Sequence, residues 1–420
     1  MGTRLLILLV VLLIVWPPVV AQSTPELTRE AVMAYQAGDL PTAIEKLRRA
    51  RTLTPNDPTV KLYLGLILYQ QDTKSREAQH LLESVIDRFL DNSEVQIKLL
   101  DSYLQTSDNV NARLQLKRLQ TLTSRDEKLG FQVVYLLVKY GINEEAHAEL
   151  DRLSARKSGE STEREGELYF VRGLLAASEG RKEEALQNLQ QADRRDFPPR
   201  HSYHMLMLAD ALYRVQELRL AWQAYEEYLK HFPTDLEARN RLGLVYYALG
   251  LLDPAQAAFE QVRNADARYP RVHYQLAEVL FLKNDLEEAE KSLDREIKND
   301  PACGPCFAKM ARIFYQRGDN QQTEKYLQKA RELSPDWAET HLVSGLLANR
   351  NGQYDEAIKD LEIVVKNLPD FPTGHLQLSI AYARAGQAEK SKEHREIYNR
   401  LIQAQKDAVT AGMKDERKPR

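Results

Sequence analysis

Short side chains recur at a constant interval among large apolar ones in the second half of the chain. They stand at Ala209, Gly243, Ala277, Ala311, Gly345 and Ser379, with the same step between each neighbouring two. A second residue, in most cases also with a short side chain, stands twelve positions after each of these, at Ala221, Ala255, Ala289, Thr323, Ala357 and Ser391. Glycines between the two positions and prolines after the second one mark turns, because both residue types interrupt regular structure. The pattern predicts pairs of helices joined by short turns.

This spacing has a packing explanation. Two antiparallel helices approach closely only where the side chains at the contact are small, and larger residues then fill the space around it. The filling positions hold Phe259, Leu293, Leu327 and Leu361. Each such side chain contributes roughly 1.5–3 kcal/mol when it is buried. Because a single pair leaves an apolar face exposed, successive pairs must stack. The sequence therefore predicts an all-α stack of helix pairs.

One stretch of the chain carries the complete repeat pattern. The segment Leu242–Tyr246 reads Leu-Gly-Leu-Val-Tyr and is followed by Gly250, Ala255, Phe259 and Pro270. The small positions keep the same interval over five consecutive steps. On these residues and this spacing, the chain resembles the tetratricopeptide repeat family from about Pro25 to Leu401. The resemblance implies a right-handed α-solenoid of about eleven antiparallel helix pairs. It also implies that the first helix of each pair lines the concave surface.

The repeat is less regular towards the amino terminus. Leu100 and Val134 replace the small residue there, and the step from Val134 to Gly173 is longer than the regular one by five positions. The extra residues fall in a polar stretch that is typical of a loop. We expect a signal peptide at 1–21, degenerate repeats at 22–153, a flexible junction at 154–166, a regular array closed by a capping helix at 167–405, and a disordered charged tail at 406–420.

The segment 1–21 has the features of a secretory leader. Arg4 precedes an apolar run from Leu5 to Trp16, and Val19-Val20-Ala21 places small residues where a signal peptidase cuts. The apolar core is short for spanning about 30 Å of hydrocarbon. We expect export to the periplasm or secretion. The alternative is an uncleaved segment that anchors the protein in the membrane.

Aromatic residues follow the small residue by four positions in four successive repeats, at Tyr213, Tyr247, Phe281 and Tyr315. Charged residues flank them, at Asp210, Glu278 and Arg312 and at Arg214, Arg350 and Arg384. Rigid rings offer contact area at low entropic cost, so one interpretation is an amphipathic groove that binds a protein or peptide. The other interpretation is that the rings pack inside the array, because an error of one residue in phase would bury them.

Charge and cysteine content narrow the classes of function. Lys and Arg total 58 against 61 Asp and Glu, which gives a net charge of −3 and argues against a nucleic-acid binder. The two cysteines, Cys303 and Cys306, enclose Gly-Pro in the motif of thioredoxin-like oxidoreductases, whose chemistry needs an exposed first thiol. No strand pattern precedes this motif. Three interpretations stay open: a local disulfide, two free thiols, or a redox or metal site.

The sequence shows no phosphate-binding loop, nucleophile elbow or zinc-protease helix, so we expect neither catalysis nor a cofactor. The leading hypothesis is a non-enzymatic scaffold that binds a protein or peptide partner on its concave face, in the cell envelope or outside the cell. Two alternatives remain. One is a thiol–disulfide oxidoreductase that uses Cys303 and Cys306. The other is a membrane-anchored assembly factor for envelope or polysaccharide machinery.

Overall fold

The computed structural model describes residues 22–156, 161–198 and 202–415 of the protein, with side chains described up to Asp407. The predicted signal peptide at 1–21 and the end of the predicted tail, 416–420, lie outside the described residues. Within the described part of the chain all regular structure is helical, as the repeat pattern predicted. The α-helices described there form eleven successive antiparallel pairs.

The chain divides into two compact units, Met1–Pro198 and Pro199–Arg420. The helices of the first unit are α1 (Thr24–Gln36), α2 (Leu40–Leu53), α3 (Pro58–Gln71), α4 (Arg76–Glu83), α5 (Ser93–Gln105), α6 (Asn109–Thr123), α7 (Glu127–Lys139), α8 (Asn143–Ala155), α9 (Thr162–Ser178) and α10 (Lys182–Asp193). The helices of the second unit are α11 (His204–Arg214), α12 (Leu218–His231), α13 (Leu236–Ala248), α14 (Leu252–Ala265), α15 (Val272–Leu282), α16 (Leu286–Asn299), α17 (Gly304–Gln316), α18 (Asn320–Leu333), α19 (Ala338–Asn351), α20 (Tyr354–Asn367), α21 (Pro372–Arg384) and α22 (Ala388–Asp415).

The division between the units lies one helix pair later than the junction expected at 154–166. Helix α9 packs with the helices before it, because Arg164 Nε lies 2.8 Å from Glu127 Oε1 and Arg164 Nη2 donates to the Leu153 carbonyl at 2.8 Å. Residues at both ends of the expected junction are helical, and 157–160 lie outside the described residues. The polar loop is therefore shorter than its composition indicated.

Paired helices meet at the small residues, as the spacing predicted. A Cβ atom built on Gly243 would stand 2.6 Å from Phe259 Cε1, and one on Gly345 would stand 2.6 Å from Leu361 Cγ. Real Cβ atoms do not approach so closely, because carbon atoms repel one another below about 3.5 Å. Ala277 is fully buried, as is Leu293, which stands at the corresponding partner position. Glycine is thus required at Gly243 and Gly345, where the side chain of the paired helix comes closest to the first helix.

The turns inside the helix pairs use the left-handed backbone conformation. Gly250 and Gly352 have φ values of 74° and 77° at these turns. In other helix pairs the equivalent turn position is occupied by Ser107, Gln216 and Asn284, with φ values of 58°, 61° and 62°. Non-glycine residues adopt this conformation at an energetic cost. The turn geometry is therefore kept along the chain even where its glycine signal is missing from the sequence.

The array ends in a long helix that packs on α21. His375 is 5 % exposed, its Nε2 donates to the Pro369 carbonyl at 2.9 Å, and its Nδ1 lies 2.9 Å from Nδ1 of His394. Because the His375 proton is used on Pro369, His394 must donate in this pair. Helix α22 continues to Asp415, past the end expected at Gln405, so 406–415 are helical and not disordered. The Lys, Ala and Met residues of this stretch favour a helix.

Gly243→Ala should lower the urea midpoint of unfolding. In an open helix this change gains about 1 kcal/mol, but here the methyl group overlaps Phe259, and overpacking costs about 1–3 kcal/mol. Adding Phe259→Leu reproduces the natural Ala277 and Leu293 arrangement and should recover stability. The two single variants and the double variant form a cycle, and a coupling energy below about 0.5 kcal/mol would contradict the close contact.

The His375–His394 contact predicts a pH dependence of stability. Burial, and then the neighbouring His375, lower the pKa of His394, with Glu393 and Glu362 opposing this only in part. The unfolded chain therefore binds more protons, so the stabilising contribution is complete above the ordinary pKa of about 6.5 and is lost as the pH falls below it. In His394→Asn, which keeps a donor that does not titrate, thermal melts between about pH 7 and 5 should show a smaller loss than the unmodified protein. An equal loss would contradict the assignment.

Candidate functional site

The four aromatic residues of the predicted ladder occupy equivalent positions on α11, α13, α15 and α17. Tyr213, Tyr247, Phe281 and Tyr315 are all partly buried. The rings of Tyr247, Phe281 and Tyr315 pack at the edge of the apolar cores of their helix pairs. The two interpretations that the sequence left open thus do not exclude each other, because these three rings pack on one side and keep exposed surface on the other.

We define the first-helix face as a set of positions on α11, α13, α15, α17, α19 and α21 and their amino-terminal caps. The set comprises the residues one, four and five positions after the small residue, and two and six positions before it. All of these residues lie in the second unit and within its described part. Every site residue predicted from the sequence, apart from the two cysteines, lies on this face.

Each of three ladder rings has a polar neighbour from the next first helix. The hydroxyl group of Tyr247 donates to Glu278 Oε2 at 3.1 Å. Lys309 Nζ lies 4.9 Å from the centre of the Phe281 ring, and Arg350 Cζ lies 3.6 Å from the centre of the Tyr315 ring. Cations are attracted to ring faces at such distances. Burial, and then Glu278, raise the pKa of Tyr247 well above its ordinary range, so its hydroxyl stays a donor.

Lys309 is the centre of a buried ion network on this face. Its ammonium group lies 2.8 Å from Glu278 Oε1 and 2.8 Å from Glu339 Oε1, and its side chain is 6 % exposed. Arg312 Nη1 also lies 3.3 Å from Glu339 Oε1. Helix α17 is thereby tied through Lys309 to the helices on both sides, α15 and α19. The paired charges offset the large cost of burying each one alone.

A second network of the same kind joins the first two helix pairs of the unit. Asp210 accepts from the Tyr225 hydroxyl at 2.5 Å and pairs with Arg241, which also pairs with Glu237. Burial disfavours the charged form of Arg241, but Asp210 outweighs it and raises the pKa of this guanidinium. Arg241 and Lys309 both stand two positions before a small residue, two repeats apart. Their shared register was the sequence signal for both networks, and the sequence reasoning missed it.

The remaining predicted residues on the face are exposed. Arg350 Nη1 donates to Asn320 Oδ1 and its Nη2 donates to the Tyr315 carbonyl, both at 2.9 Å. Arg214 is exposed at the end of α11. The face therefore combines partly buried rings, carboxylates paired with cations and exposed guanidinium groups. Such a surface is suited to binding a ligand that has both apolar and charged groups.

The predicted cysteine pair is joined by a disulfide bond between Cys303 and Cys306. Cys303 precedes α17 as its amino-terminal cap, and its sulfur accepts from the Cys306 backbone amide at 3.3 Å. Cys303 is 8 % exposed and Cys306 is fully buried, and both pack with the apolar core around Leu293. Because disulfide exchange needs access to a sulfur atom, this burial disfavours attack by an external thiol.

Metal binding and membrane crossing each require a recognisable arrangement of residues. Among the described residues, no group of three or more His, Cys, Asp or Glu side chains has the arrangement of a metal site. None of the described helices combines the length and the apolar character needed to cross a membrane. The predicted leader at 1–21 lies outside the described residues.

Comparison with known proteins gives one family match. The model of the tetratricopeptide repeat matches more than half of the chain, at residues 28–74, 206–255, 250–302, 309–372 and 342–393. No curated protein matches the chain. The matched ranges leave out the middle of the first unit, where Leu100 and Val134 occupy the small position.

Several solved structures are similar to this one at low identity. Yeast Tom70 is 14% identical, with a TM-score of 0.41, and the match covers 90% of this chain and 84% of Tom70. YrrB, described as a TPR protein with an unusual peptide-binding site, is 18% identical with a TM-score of 0.31 over 46% of this chain and 99% of its own. PilF of Pseudomonas aeruginosa is 18% identical with a TM-score of 0.39 over 51% of this chain and 97% of its own.

Lys309→Met should destabilise the second unit strongly. The change leaves Glu278 and Glu339 without their shared cation, and removing one partner of a buried ion network costs about 3–5 kcal/mol. Lys291→Met is a matched control, because Lys291 pairs with Glu287 and Glu288 on the exposed surface of α16, and we expect little change there. Urea unfolding followed by circular dichroism measures both. Equal midpoints for the two variants would show that the network contributes nothing.

Proposed function

Because this chain belongs to the tetratricopeptide repeat family, we propose that it is a non-enzymatic scaffold that binds an extended polypeptide on the first-helix face of its second unit. The observation that carries this proposal is the row of partly buried rings at the same position of four consecutive repeats. The rings of Tyr247, Phe281 and Tyr315 are fixed on one side by packing. A ligand that covers their other side therefore restricts few further bond rotations.

The geometry of the row favours an extended ligand. Packed helices lie about 8–10 Å apart, and the Tyr247–Glu278 hydrogen bond joins two successive first helices directly. An extended chain advances about 3.3 Å per residue, so roughly every third residue of such a ligand meets a new repeat. A compact ligand would contact fewer of the rings. Binding by one short segment of a partner protein is the simplest use of this surface.

We also propose that the protein works outside the cytoplasm, in the periplasm or as a secreted protein. The leader at 1–21 supports this location. The disulfide between Cys303 and Cys306 supports it as well, because disulfides persist mainly in oxidising compartments. Mass spectrometry of the protein purified from its native cells separates the alternatives. A mature chain that begins at Gln22 supports cleavage and export, and a chain that retains 1–21 supports an anchored protein.

Removing the rings should weaken peptide binding while the fold is retained. Peptides selected from a random phage library against the full chain provide the probe, and fluorescence anisotropy gives their affinity. We expect the triple variant Tyr247→Ala, Phe281→Ala, Tyr315→Ala to bind at least about tenfold more weakly, because each lost ring removes a large contact area. Circular dichroism checks that this variant and its control remain folded.

The control for this experiment removes three aromatic residues from second helices. Trp222, Tyr326 and Tyr354 are also partly buried, on α12, α18 and α20, and replacing them by alanine should leave peptide affinity unchanged. If the control triple weakens binding as much as the ladder triple, the peptide does not occupy the first-helix face. If either triple melts below the assay temperature, Tyr315→Ala alone is compared with Tyr354→Ala.

A further inference from the structure

We propose that the first-helix face of the second unit selects acidic polypeptide segments and that four exposed arginines bind their carboxylates. The four are Arg214, Arg271, Arg350 and Arg384. This inference rests on the proposed function, because it names the chemistry of the segment that the face would bind.

The charge of this face is opposite in sign to that of the whole chain. The protein as a whole carries a net charge of −3. The cations of the face are Arg214, Arg241, Arg271, Lys309, Arg312, Arg350 and Arg384. Its carboxylates are Asp210, Glu237, Glu278 and Glu339. Positive groups therefore outnumber negative ones on a surface of a protein that is otherwise slightly acidic. Such a local excess steers oppositely charged ligands to the surface.

Each of the four carboxylates of the face has a cationic partner within the protein. Arg241 pairs with Asp210 and with Glu237. Lys309 pairs with Glu278 and with Glu339 at 2.8 Å each. Arg312 also pairs with Glu339, so three cations serve the four carboxylates. A basic ligand would have to compete with these internal pairs, so the face offers little to a positively charged segment.

The four exposed arginines, by contrast, have no carboxylate partner among the described residues. Arg350 lies over the Tyr315 ring and uses two of its five N–H groups on Asn320 Oδ1 and the Tyr315 carbonyl. Arg271 lies over the Tyr274 ring, with Cζ 5.2 Å from the ring centre. Both guanidinium groups are positioned by these contacts before any ligand arrives. A carboxylate can then accept two N–H bonds from one guanidinium group at a small entropic cost.

The register of the arginines places them beside the aromatic row. Arg214, Arg350 and Arg384 each stand five positions after a small residue, next to the ladder position, which is four after it. A segment that lays an apolar side chain on a ring therefore brings its next side chains close to a guanidinium group. This favours a ligand in which apolar and acidic residues are interspersed.

A polypeptide fits this surface better than a nucleic acid. Every nucleotide carries a phosphate charge, and the phosphates would meet the carboxylates that lie between the arginines. A polypeptide can place Asp or Glu opposite the arginines and uncharged residues opposite the carboxylates. Specificity of this kind comes from repulsion as well as attraction.

Composition of selected peptides tests the inference directly. A random library of about twelve-residue peptides, long enough to span four repeats when extended, is selected against the full chain. We expect Asp and Glu to rise roughly twofold or more over the unselected library. Affinity of the selected peptides should fall as the salt concentration rises from about 0.05 M to about 0.5 M, because exposed ion pairs are screened.

Two matched variants assign the effect to the face. In the first, Arg214, Arg271, Arg350 and Arg384 are changed to Gln, and we expect at least about tenfold weaker binding of the acidic peptides and loss of most of the salt dependence. In the second, four exposed cations of α16 and α20 are changed to Gln, namely Arg295, Lys298, Lys359 and Lys366. The second variant has the same net charge as the first and should bind normally.

The outcomes separate this inference from the proposed function. A selected pool that is neutral or basic, or equal weakening in both variants, overturns the inference and leaves the aromatic face as a peptide-binding surface. Tighter binding of a labelled single-stranded DNA or of heparin than of any selected peptide overturns the choice of a polypeptide. Failure to enrich any peptide overturns the proposed function and this inference with it.

Discussion

The close approach of two helices at one small residue is the constraint on which the rest of this structure depends. At Gly243 and Gly345 even a single methyl group would overlap the partner side chain, Phe259 or Leu361. This contact fixes how deeply one helix of a pair sits against the other. Because the small position returns at the same step in every repeat of the second unit, the contact also fixes which side of each first helix is left outside the pair. The position of every ring and charge on the first-helix face follows from it.

The fold was predictable from the sequence because its signal is periodic. Small residues, turn glycines and filling residues agree with one another over many repeats, so errors at single positions do not matter. The boundary between the units was not predictable in this way. The polar composition of 154–166 indicated a break, but Arg164 is held by Glu127 and by the Leu153 carbonyl. A contact between residues 37 positions apart leaves no mark in local composition.

The functional face was predictable only in part, for a related reason. The aromatic row was visible because its members share one chemical character at one register. The ion networks were not, since Arg241 and Lys309 differ in type and Asp210, Glu278 and Glu339 stand at two different registers. Whether a ring is buried or exposed also depends on the neighbouring helix. The structure shows that Tyr247, Phe281 and Tyr315 are each partly buried and partly exposed. Neither core nor surface alone describes them.

The position of Lys309 has a consequence for how the second unit melts. In an array where each pair contacts only its neighbours, ends fray first and the loss proceeds pair by pair. Lys309 contacts carboxylates from the helices on both sides of its own, α15 and α19, so opening any one of these three leaves a buried charge unmatched in another. The middle of the unit is therefore expected to open as one cooperative block, with hydrogen exchange there slower and more uniform than at either end.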